Sequence, residues 1–109
     1  MGAGLTACCV NYMYIVIFKA DINKIDSEYD IQARRMRELA LKNYGCIKIE
    51  SVLENDKEIT LSYWQSEKDM KDWKEDSEHL LAQADGINKW YKSYSIEIAE
   101  VMREYKSFS

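Results

Sequence analysis

The sequence contains few of the residues that mark metal sites and disulfide scaffolds. Its 109 residues include no proline, one histidine and three cysteines. One histidine cannot supply a multi-histidine metal site, and an odd number of cysteines at these spacings fits neither a disulfide framework nor a zinc site. We therefore expect no bound metal and three free thiols, with Cys46 as a small buried core residue rather than a reactive thiol. The absence of proline is compatible with uninterrupted strands.

Long apolar runs and concentrated positive charge are also missing. The longest apolar run, Tyr12 to Phe18, is far shorter than the roughly 20 residues that a transmembrane helix requires. No lysine or arginine precedes the weakly apolar N-terminal stretch, which therefore lacks the features of a secretory signal. The net charge is −4, with both signs mixed along the chain, whereas a nucleic-acid binder needs a concentrated basic surface. We expect a cytoplasmic protein with no membrane or nucleic-acid partner.

The first half of the chain shows clear strand and helix patterns. Residues 11–20 are rich in β-branched and aromatic side chains and predict a strand that is buried on both faces. An apolar stripe with helical spacing follows over residues 29–44, and Gly45 is well placed to end that helix. Alternating runs over residues 46–53 and 59–64 are separated by a polar turn, which predicts a β-hairpin.

The second half predicts more helix and one further strand. Ser66 is expected to cap a helix, a break is expected near Asp76 and Ser77, and a second helical piece follows. Residues 94–102 alternate again and predict the fourth strand. The order strand, helix, strand, strand, helix, strand predicts an α+β, ferredoxin-like βαββαβ fold with an antiparallel four-stranded sheet.

The predicted fold bears on domain organisation and assembly. We expect one domain over residues 11–109, preceded by a loosely ordered extension over residues 1–10. Two helices cover only one face of a four-stranded sheet, and the uncovered face is expected to mix polar and apolar residues: Thr60, Ser62, Ser95 and Glu97 with Trp64, Ala99 and Val101. Because such a face is too apolar to leave in water, we predict a homodimer with face-to-face sheets. The alternative is a monomer with a solvated sheet face.

Motifs for common reactions are absent, which narrows the candidate chemistry to a few side chains. The sequence contains no GxGxxG, GxxxxGK[ST], HExxH or GxSxG motif. His79 is the one side chain whose ordinary pKa lies near neutral pH, so it can act as a general acid or base, or be a purely structural histidine on the helix surface. Tyrosine and tryptophan are abundant, and Trp64 and Trp73 are the best candidates for lining a pocket. Core filling is the alternative for each aromatic residue.

The stretch from Ile59 to Tyr94 resembles the antibiotic biosynthesis monooxygenase (ABM) family of the dimeric α/β-barrel superfamily, and the similarity extends from about Tyr12 to Tyr105. The pieces that carry it are Ser62-Tyr63-Trp64, an acidic helix that reaches Trp73, Glu78-His79 with Gln83, and Trp90-Tyr91 with Tyr94. The resemblance implies a ferredoxin-like protomer, a dimer whose two sheets form a barrel, and a ligand cavity between sheet and helices.

The resemblance also implies a type of reaction. ABM members that oxidise aromatic polyketides are thought to need no metal or flavin, because a phenolic substrate held as its anion can itself pass an electron to oxygen. By resemblance, Trp64, Trp73 and His79 are catalytic residues that line the cavity, and Tyr63 and Gln83 bind the substrate by hydrogen bonds. We add Tyr14 and Tyr94 as aromatic side chains that can bind a planar ligand.

These features predict a cofactor-independent, monooxygenase-like protein that acts on a small aromatic or quinone-type compound. The alternative is a non-catalytic dimer that binds a small ligand or serves as an accessory protein. Heme binding or degradation is a third, weaker alternative. Heme-degrading relatives resemble the chain at Trp73, but their heme-ligating histidine falls at Gln83 and their first-strand asparagine falls near Phe18 or Lys19. Because two of three expected residues are missing, we expect no heme.

Overall fold

A computed structural model describes residues 5–8, 13–83 and 85–107, the first of these segments by its backbone. Its elements are β1 (Leu5–Cys8), β2 (Met13–Ile22), α1 (Ser27–Asn43), β3 (Lys48–Glu54), β4 (Lys57–Trp64), α2 (Glu67–Gln83), α3 (Gly86–Trp90), β5 (Tyr91–Val101) and β6 (Glu104–Ser107). Four strands form an antiparallel sheet in the order β3-β4-β2-β5. This α+β, ferredoxin-like fold confirms the prediction from the sequence.

The β3–β4 hairpin is closed by a tight turn. Asn55 and Asp56 both have positive φ angles, 51° and 61°, which is the backbone of a two-residue turn whose twist matches that of paired strands. The turn fixes the register of the hairpin, in which Leu53 lies opposite Glu58 and Ser51 opposite Thr60. Register decides which residues of β4 face the helices, so this turn determines the contents of the space beneath them.

Helix α1 is joined at its beginning to the end of α3. The Asp26 carboxylate accepts a hydrogen bond from the backbone N–H of Tyr29 at 2.9 Å, which caps the helix. The same oxygen accepts a second bond from the indole N–H of Trp90 at 3.0 Å. These two donors hold the pKa of Asp26 below its usual value. One carboxylate therefore caps α1 and anchors the indole that fills one end of the core.

The predicted helix break near Asp76 and Ser77 is wrong. Helix α2 runs without interruption from Glu67 to Gln83, and the chain turns instead at Asp85, whose φ is 52°. Serine and aspartate have weak helix propensities, but burial of an apolar stripe outweighs such preferences. Ser77 lies on that buried stripe together with Met70 and Leu81, and this packing carries the helix through the weak positions.

The face of the sheet that the helices leave open, which we call the open face, mixes polar and apolar residues as predicted, but some of its residues differ from those predicted from the sequence. Thr60, Ser62 and Trp64 point toward the helices, where Ser62 is 1% exposed and Trp64 fully buried. Because side chains alternate along a strand, the open face instead receives the other residues of β4 and their partners on β2 and β5: Ile15, Ile17, Lys19, Ile59, Leu61, Tyr63, Ser95, Glu97, Ala99 and Val101. Ser95, Glu97, Ala99 and Val101 are on this face, as predicted.

The chain ends are paired with each other. Strand β1 pairs antiparallel with β6 to form a separate two-stranded sheet. The loosely ordered extension expected over residues 1–10 included no strand, and the structure places β1 within it; residues 1–4, 9 and 10 lie outside the described part of the chain. Cys46 is a buried free thiol, and burial raises its pKa. None of the helices in the described segments is long and apolar enough to cross a membrane.

Two clusters of buried side chains pack the helices against the sheet. One is centred on Trp64 and Met70, and the other on Trp90, Tyr91 and Leu81. Gly86 lies at the base of the second cluster, where a side chain would overlap the indole ring of Trp90 and contact Leu81. A residue without a side chain is needed here, because the ring of Trp90, the last residue of α3, lies where a Cβ atom of residue 86 would be.

We expect Gly86→Ala to destabilise the protein, although alanine is the better helix former by roughly 1 kcal/mol. Overlap with the Trp90 ring costs about 1–3 kcal/mol, so the free energy of unfolding should fall. Urea denaturation monitored by circular dichroism measures the change. Glu75→Ala, on the exposed side of α2, is the control and should alter stability by no more than about 0.5 kcal/mol. A more stable Gly86→Ala variant would contradict the packing argument.

Candidate functional site

A cavity of about 410 Å³ lies between the sheet and helices α1 and α2. Its volume is in the range of small-molecule sites, and its wall is mainly apolar. Apolar side chains come from the sheet and from both helices, among them Val16, Phe18, Ile49, Met36 and Leu81. Small residues line it as well, and they leave the space that larger side chains would fill.

Trp73 forms a fixed aromatic wall of the cavity. Its indole N–H donates to the backbone carbonyl of Met36 at 2.9 Å, which ties α2 to α1. Its ring packs against the buried ring of Trp64, with centroids 5.2 Å apart and an interplanar angle of 38°. The Trp64 N–H in turn donates to the Ser62 hydroxyl at 2.9 Å. Hydrogen bonding and ring packing together fix the plane that a flat ligand would meet.

A carboxylate is buried in the cavity wall. Glu58, at the beginning of β4, is 8% exposed. The Tyr29 hydroxyl donates to its Oε1, and the Thr60 hydroxyl donates to its Oε2 at 3.2 Å. None of the ion pairs found in the described segments includes Glu58. Hydrogen bonds from neutral hydroxyls, rather than a cation, therefore offset the cost of burying this group.

The hydrogen bonds continue from Glu58 to the protein surface. The Thr60 and Ser51 hydroxyls lie 2.8 Å apart, and Ser51 is exposed. An Arg37 N–H lies 3.5 Å from the Ser51 oxygen and donates to it. Because arginine is only a donor, this end of the chain orients the hydroxyl protons toward Glu58. A line of two hydroxyls thus joins the buried carboxylate to solvent.

Two tyrosines beside Glu58 are held in their neutral form. Burial, then the hydrogen bond to Glu58, raises the pKa of Tyr29 far above its ordinary value of 10.0. Burial and the charge of Glu58 raise the pKa of Tyr91 in the same direction. Both phenols therefore stay protonated near neutral pH and do not act as bases, and Tyr29 donates its proton in the hydrogen bond to Glu58.

Ser77 presents an unpartnered polar group at the cavity. It lies on α2 one turn after Trp73, and it is 8% exposed. Its hydroxyl oxygen is buried and has no hydrogen-bond partner in the described part of the chain. Since buried polar groups are normally hydrogen-bonded, a ligand in the cavity is a natural partner for it.

Of the site residues predicted from the sequence, the structure brings Trp73 and Tyr94 to the cavity. Tyr94 stacks on Phe18, with ring centroids 5.8 Å apart. Trp64 lies behind Trp73 and supports it without lining the cavity, and Tyr14 packs next to Trp64 in the same core cluster.

The structure places His79, Gln83 and Tyr63 away from the cavity. On α2 the residues that line the cavity lie on one side of the helix. His79 projects from nearly the opposite side and is exposed. The lining residues of α2 are Trp73, Lys74, Ser77, Glu78 and Leu81. Gln83 is exposed as well. Tyr63 lies on the open face, with the Lys48 ammonium 4.6 Å from its ring centroid. The residue spacing along α2 and β4 accounts for all three positions.

Sequence reasoning missed the polar part of the site. Glu58, Thr60, Ser51, Tyr29 and Ser77 were not singled out as site residues. The sequence did indicate two of them, because residues two apart in a strand face the same side. Glu58 and Thr60 therefore face the same side of β4 as Trp64, which was identified as a cavity candidate. The hydroxyl of Ser77 carried no such signal, since its position depends on the uninterrupted course of α2.

The cavity contains no histidine that could ligate a heme. The chain has one histidine, and it projects away from the cavity, as does Gln83 at the position that corresponds to the heme ligand of heme-degrading relatives. Within residues 5–8, 13–83 and 85–107, no group of three histidine, cysteine, aspartate or glutamate side chains is arranged to hold a metal ion.

Comparison with known proteins gives one related sequence and several related structures. No protein-family model matches the chain. The uncharacterized protein YqjZ of Bacillus subtilis (strain 168) is 38% identical over 92 residues, which make up 84% of this chain and 81% of that protein. Identity at this level over most of both chains indicates a common family.

Solved structures share the fold at low sequence identity. A protein of Nitrosomonas europaea, provisionally assigned as an antibiotic biosynthesis monooxygenase, has a TM-score of 0.65 and 18% identity over 83% of this chain and 90% of its own. A variant of SnoaB, a cofactor-independent oxygenase of Streptomyces nogalater, has a TM-score of 0.65 and 8% identity over 87% and 97%. A dimeric, ferredoxin-like protein of unknown function from Bacteroides fragilis gives 0.51 and 16% over 82% and 96%.

The environment of Glu58 predicts the alkaline behaviour of two tyrosines. Because the pKa values of Tyr29 and Tyr91 are raised in the folded state, both should stay protonated as the pH rises through 10.0, where unfolded tyrosines ionise. Their contribution to stability is present below pH 10.0 and is lost at higher pH, because the unfolded state then releases protons first. Tyrosinate absorbance, compared between native protein and protein in urea, measures this difference.

The variant Tyr29→Phe identifies one of these two groups. It should remove one late-ionising tyrosine from the native titration and leave the titration in urea otherwise unchanged. If all eight tyrosines of the native protein ionise together near pH 10, the described burial of the pair is wrong.

Proposed function

We propose that this chain, which belongs to the same family as YqjZ of Bacillus subtilis and has the antibiotic biosynthesis monooxygenase fold, is a cofactor-independent monooxygenase for a small aromatic or quinone-type compound. The observation that carries the proposal is the apolar cavity between sheet and helices, which is walled by the fixed ring of Trp73 and contains one buried carboxylate. SnoaB, described as a cofactor-independent oxygenase, shares this fold.

The cavity offers what such a reaction needs from a protein. An acidic phenol or anthrone loses a proton, and the resulting anion supplies the electrons that reduce O₂. Oxygen adds at the ring carbon to give a peroxide anion. The O–O bond and the remaining C–H bond of that carbon then break, hydroxide leaves with this hydrogen, and a carbonyl group remains. The hydroxide takes up a proton, which balances the proton removed first, and becomes water. Overall, a CH₂ group and O₂ give a carbonyl and one water, and four electrons pass from carbon to oxygen.

The protein's own groups serve this reaction in separate ways. The ring of Trp73 supports a planar substrate from one side, and the stacked pair of Phe18 and Tyr94 provides a second aromatic surface. The free hydroxyl of Ser77 can hydrogen-bond to a substrate oxygen. Apolar walls exclude water, which strengthens these polar contacts.

Oxygen uptake tests the function. With the hydroxyanthrone dithranol as probe, the protein should consume O₂ faster than buffer, and the quinone product should appear in equal amount. Trp73→Phe keeps an aromatic ring but removes the hydrogen bond to Met36, and we expect uptake to fall by about tenfold through loss of orientation. Glu75→Gln, on the exposed side of α2, is the control and should match the unchanged protein.

The same assay separates the remaining hypotheses. The resemblance predicts that His79→Ala abolishes uptake, whereas the exposed position of His79 predicts no effect. If dithranol binds, as seen by quenching of tryptophan fluorescence, but no O₂ is consumed, the protein is the non-catalytic ligand binder. A Soret band on addition of hemin would support the heme alternative instead.

We also propose that the chain forms a homodimer through the open face. Ile59 is 40% exposed there, next to Leu61 and Tyr63 on the same strand and to Ile15 and Ile17 on β2, and no residue of this face belongs to either core cluster. The same face carries the Lys19–Glu97 ion pair, and a face that combines exposed apolar side chains with polar ones favours burial against a second copy. The related fold from Bacteroides fragilis is described as dimeric.

The mass of the native protein tests the assembly. Native mass spectrometry should give twice the mass of one chain, and Leu61→Lys should shift the protein to monomer, because it places a charge in the centre of the apolar face. Ile31→Lys is the matched control, since Ile31 is 59% exposed on α1 and should leave the dimer intact. A monomer at micromolar concentration without any substitution would contradict this proposal.

A further inference from the structure

Glu58 is an unusual residue for its position. It occupies a helix-facing site on β4, within the apolar wall of the cavity, and it is 8% exposed. The eight ion pairs found in the described segments involve lysines and other carboxylates, so no cation compensates the Glu58 charge directly. Burial of a carboxylate without a cation is costly, and such groups concentrate at functional sites.

The hydrogen bonds of Glu58 leave room for a ligand. Each carboxylate oxygen has two lone pairs, and each receives one donor, from Tyr29 and from Thr60. One acceptor position remains on each oxygen, in a side chain that lines the cavity. A ligand O–H, or an acidic C–H, can therefore approach the carboxylate without displacing either hydroxyl.

The other ionisable groups that line the cavity are less suited to accept a proton. The guanidinium groups of Arg34 and Arg37 offer only donors, and Lys74 is paired with Glu78. Glu78 is itself exposed. Tyr29 and Tyr91 are neutral because their pKa values are raised. Glu58 is left as the buried carboxylate in contact with the cavity.

We propose that Glu58 is the base that removes the proton from the cavity ligand, and that Thr60 and Ser51 pass this proton between Glu58 and solvent. This inference rests on the monooxygenase function proposed above. Glu58 touches the ligand and is the catalytic residue, whereas Tyr29 and Thr60 act through it and are positioning residues. The path follows hydrogen-bonded atoms, from Glu58 to Thr60 at 3.2 Å and from Thr60 to Ser51 at 2.8 Å, and it ends at an exposed hydroxyl.

The proton transfer balances without any further reactant. The O–H or C–H bond of the ligand breaks, its electron pair stays on the ligand as an anion, and a new O–H bond forms on Glu58. Once Glu58 is protonated, it donates to Thr60, and the Thr60 and Ser51 hydroxyls rotate so that each donates to the next oxygen toward solvent. Glu58 then gives its proton to Thr60, the Thr60 O–H proton passes to Ser51, and the Ser51 O–H proton passes to water. The carboxylate is restored, and the oxidation by O₂ occurs in the later steps. Proton transfer by a positioned carboxylate contributes typically about 10²–10⁴-fold to a rate.

Glu58→Gln separates proton transfer from binding. Glutamine keeps the shape of glutamate, and its carbonyl oxygen can still accept from Tyr29, but the side chain cannot act as a base. We expect the dissociation constant for dithranol, measured without O₂ by tryptophan quenching, to change by less than about threefold, while kcat for O₂ uptake falls at least about 100-fold. Glu54→Gln, an exposed carboxylate at the end of β3, is the matched control.

Thr60 provides the second variant. Thr60→Val keeps the shape and removes the hydroxyl, so kcat should fall by about tenfold with the dissociation constant unchanged, and Thr60→Ser should restore most of the activity. If Thr60 had a purely structural role, Thr60→Val would also change the dissociation constant, and Thr60→Ser would not restore kcat by itself. Melting curves for each variant show whether it is folded, so that Thr60 still tests the inference if Glu58→Gln does not fold.

The outcomes distinguish this inference from the function on which it rests. Unchanged O₂ uptake in Glu58→Gln would overturn the role of Glu58 and leave the monooxygenase function standing. Equal losses of binding and uptake would also overturn it, because Glu58 would then be a binding or structural residue. If the unmodified protein takes up no O₂ with dithranol, the proposed function fails, and the catalytic role of Glu58 fails with it.

Discussion

The structure depends on the direction in which the side chains of β4 point. Glu58, Thr60, Ser62 and Trp64 face the helices, and Ile59, Leu61 and Tyr63 face the opposite side of the sheet. A strand with one apolar row usually turns that row toward its own core. Here the polar row is directed inward and the apolar row outward, and the register with β2, in which Val16 lies opposite Ser62, fixes this choice. Both the cavity and the open face follow from it.

The cavity exists because short polar side chains replace bulky apolar ones beneath the helices. Protein interiors are normally packed without large voids, so a row of serine and threonine would let the helices settle closer to the sheet unless something held them away. Trp73 and Trp64 fill one end of the layer, and Trp90 with Tyr91 fills the other. The large indole rings thus keep the helices at a distance from the sheet, and the space between the two clusters stays open for a ligand.

The periodic elements were predictable from the sequence, but the contents of the site were only partly so. The helical stripe of α1 and the alternation of β4 gave the element types, because hydrophobic period reports secondary structure directly. The orientation of β4 depends on its pairing with β2, which is distant in the sequence, and on the backbone conformation of the turn at Asn55 and Asp56. Local residue patterns report neither of these. Thr60 and Ser62 were therefore assigned to the wrong face.

Helix α2 also shows why part of the site could not be predicted from the sequence. A helix break was expected at Asp76 and Ser77 from local propensity, and burial of Ser77 beside Leu81 overrode it. Once the helix is continuous, angular position follows from spacing, and His79 turns away from the cavity while Trp73 turns toward it. A resemblance to a family identifies the residues of a motif. Which of them face the cavity depends on their angular positions around the helix.

The two sides of β4 are physically linked, which connects assembly with chemistry. Ile59 lies between Glu58 and Thr60 in the chain, so covering its side chain with a second protomer would remove water from one face of the strand whose other face carries the carboxylate. A lower local dielectric strengthens the hydrogen bonds that Glu58 accepts from Tyr29 and Thr60, and so fixes the carboxylate more firmly in the cavity wall. The apolar row of β4, on the proposed dimer face, therefore affects the environment of the polar row on its cavity side.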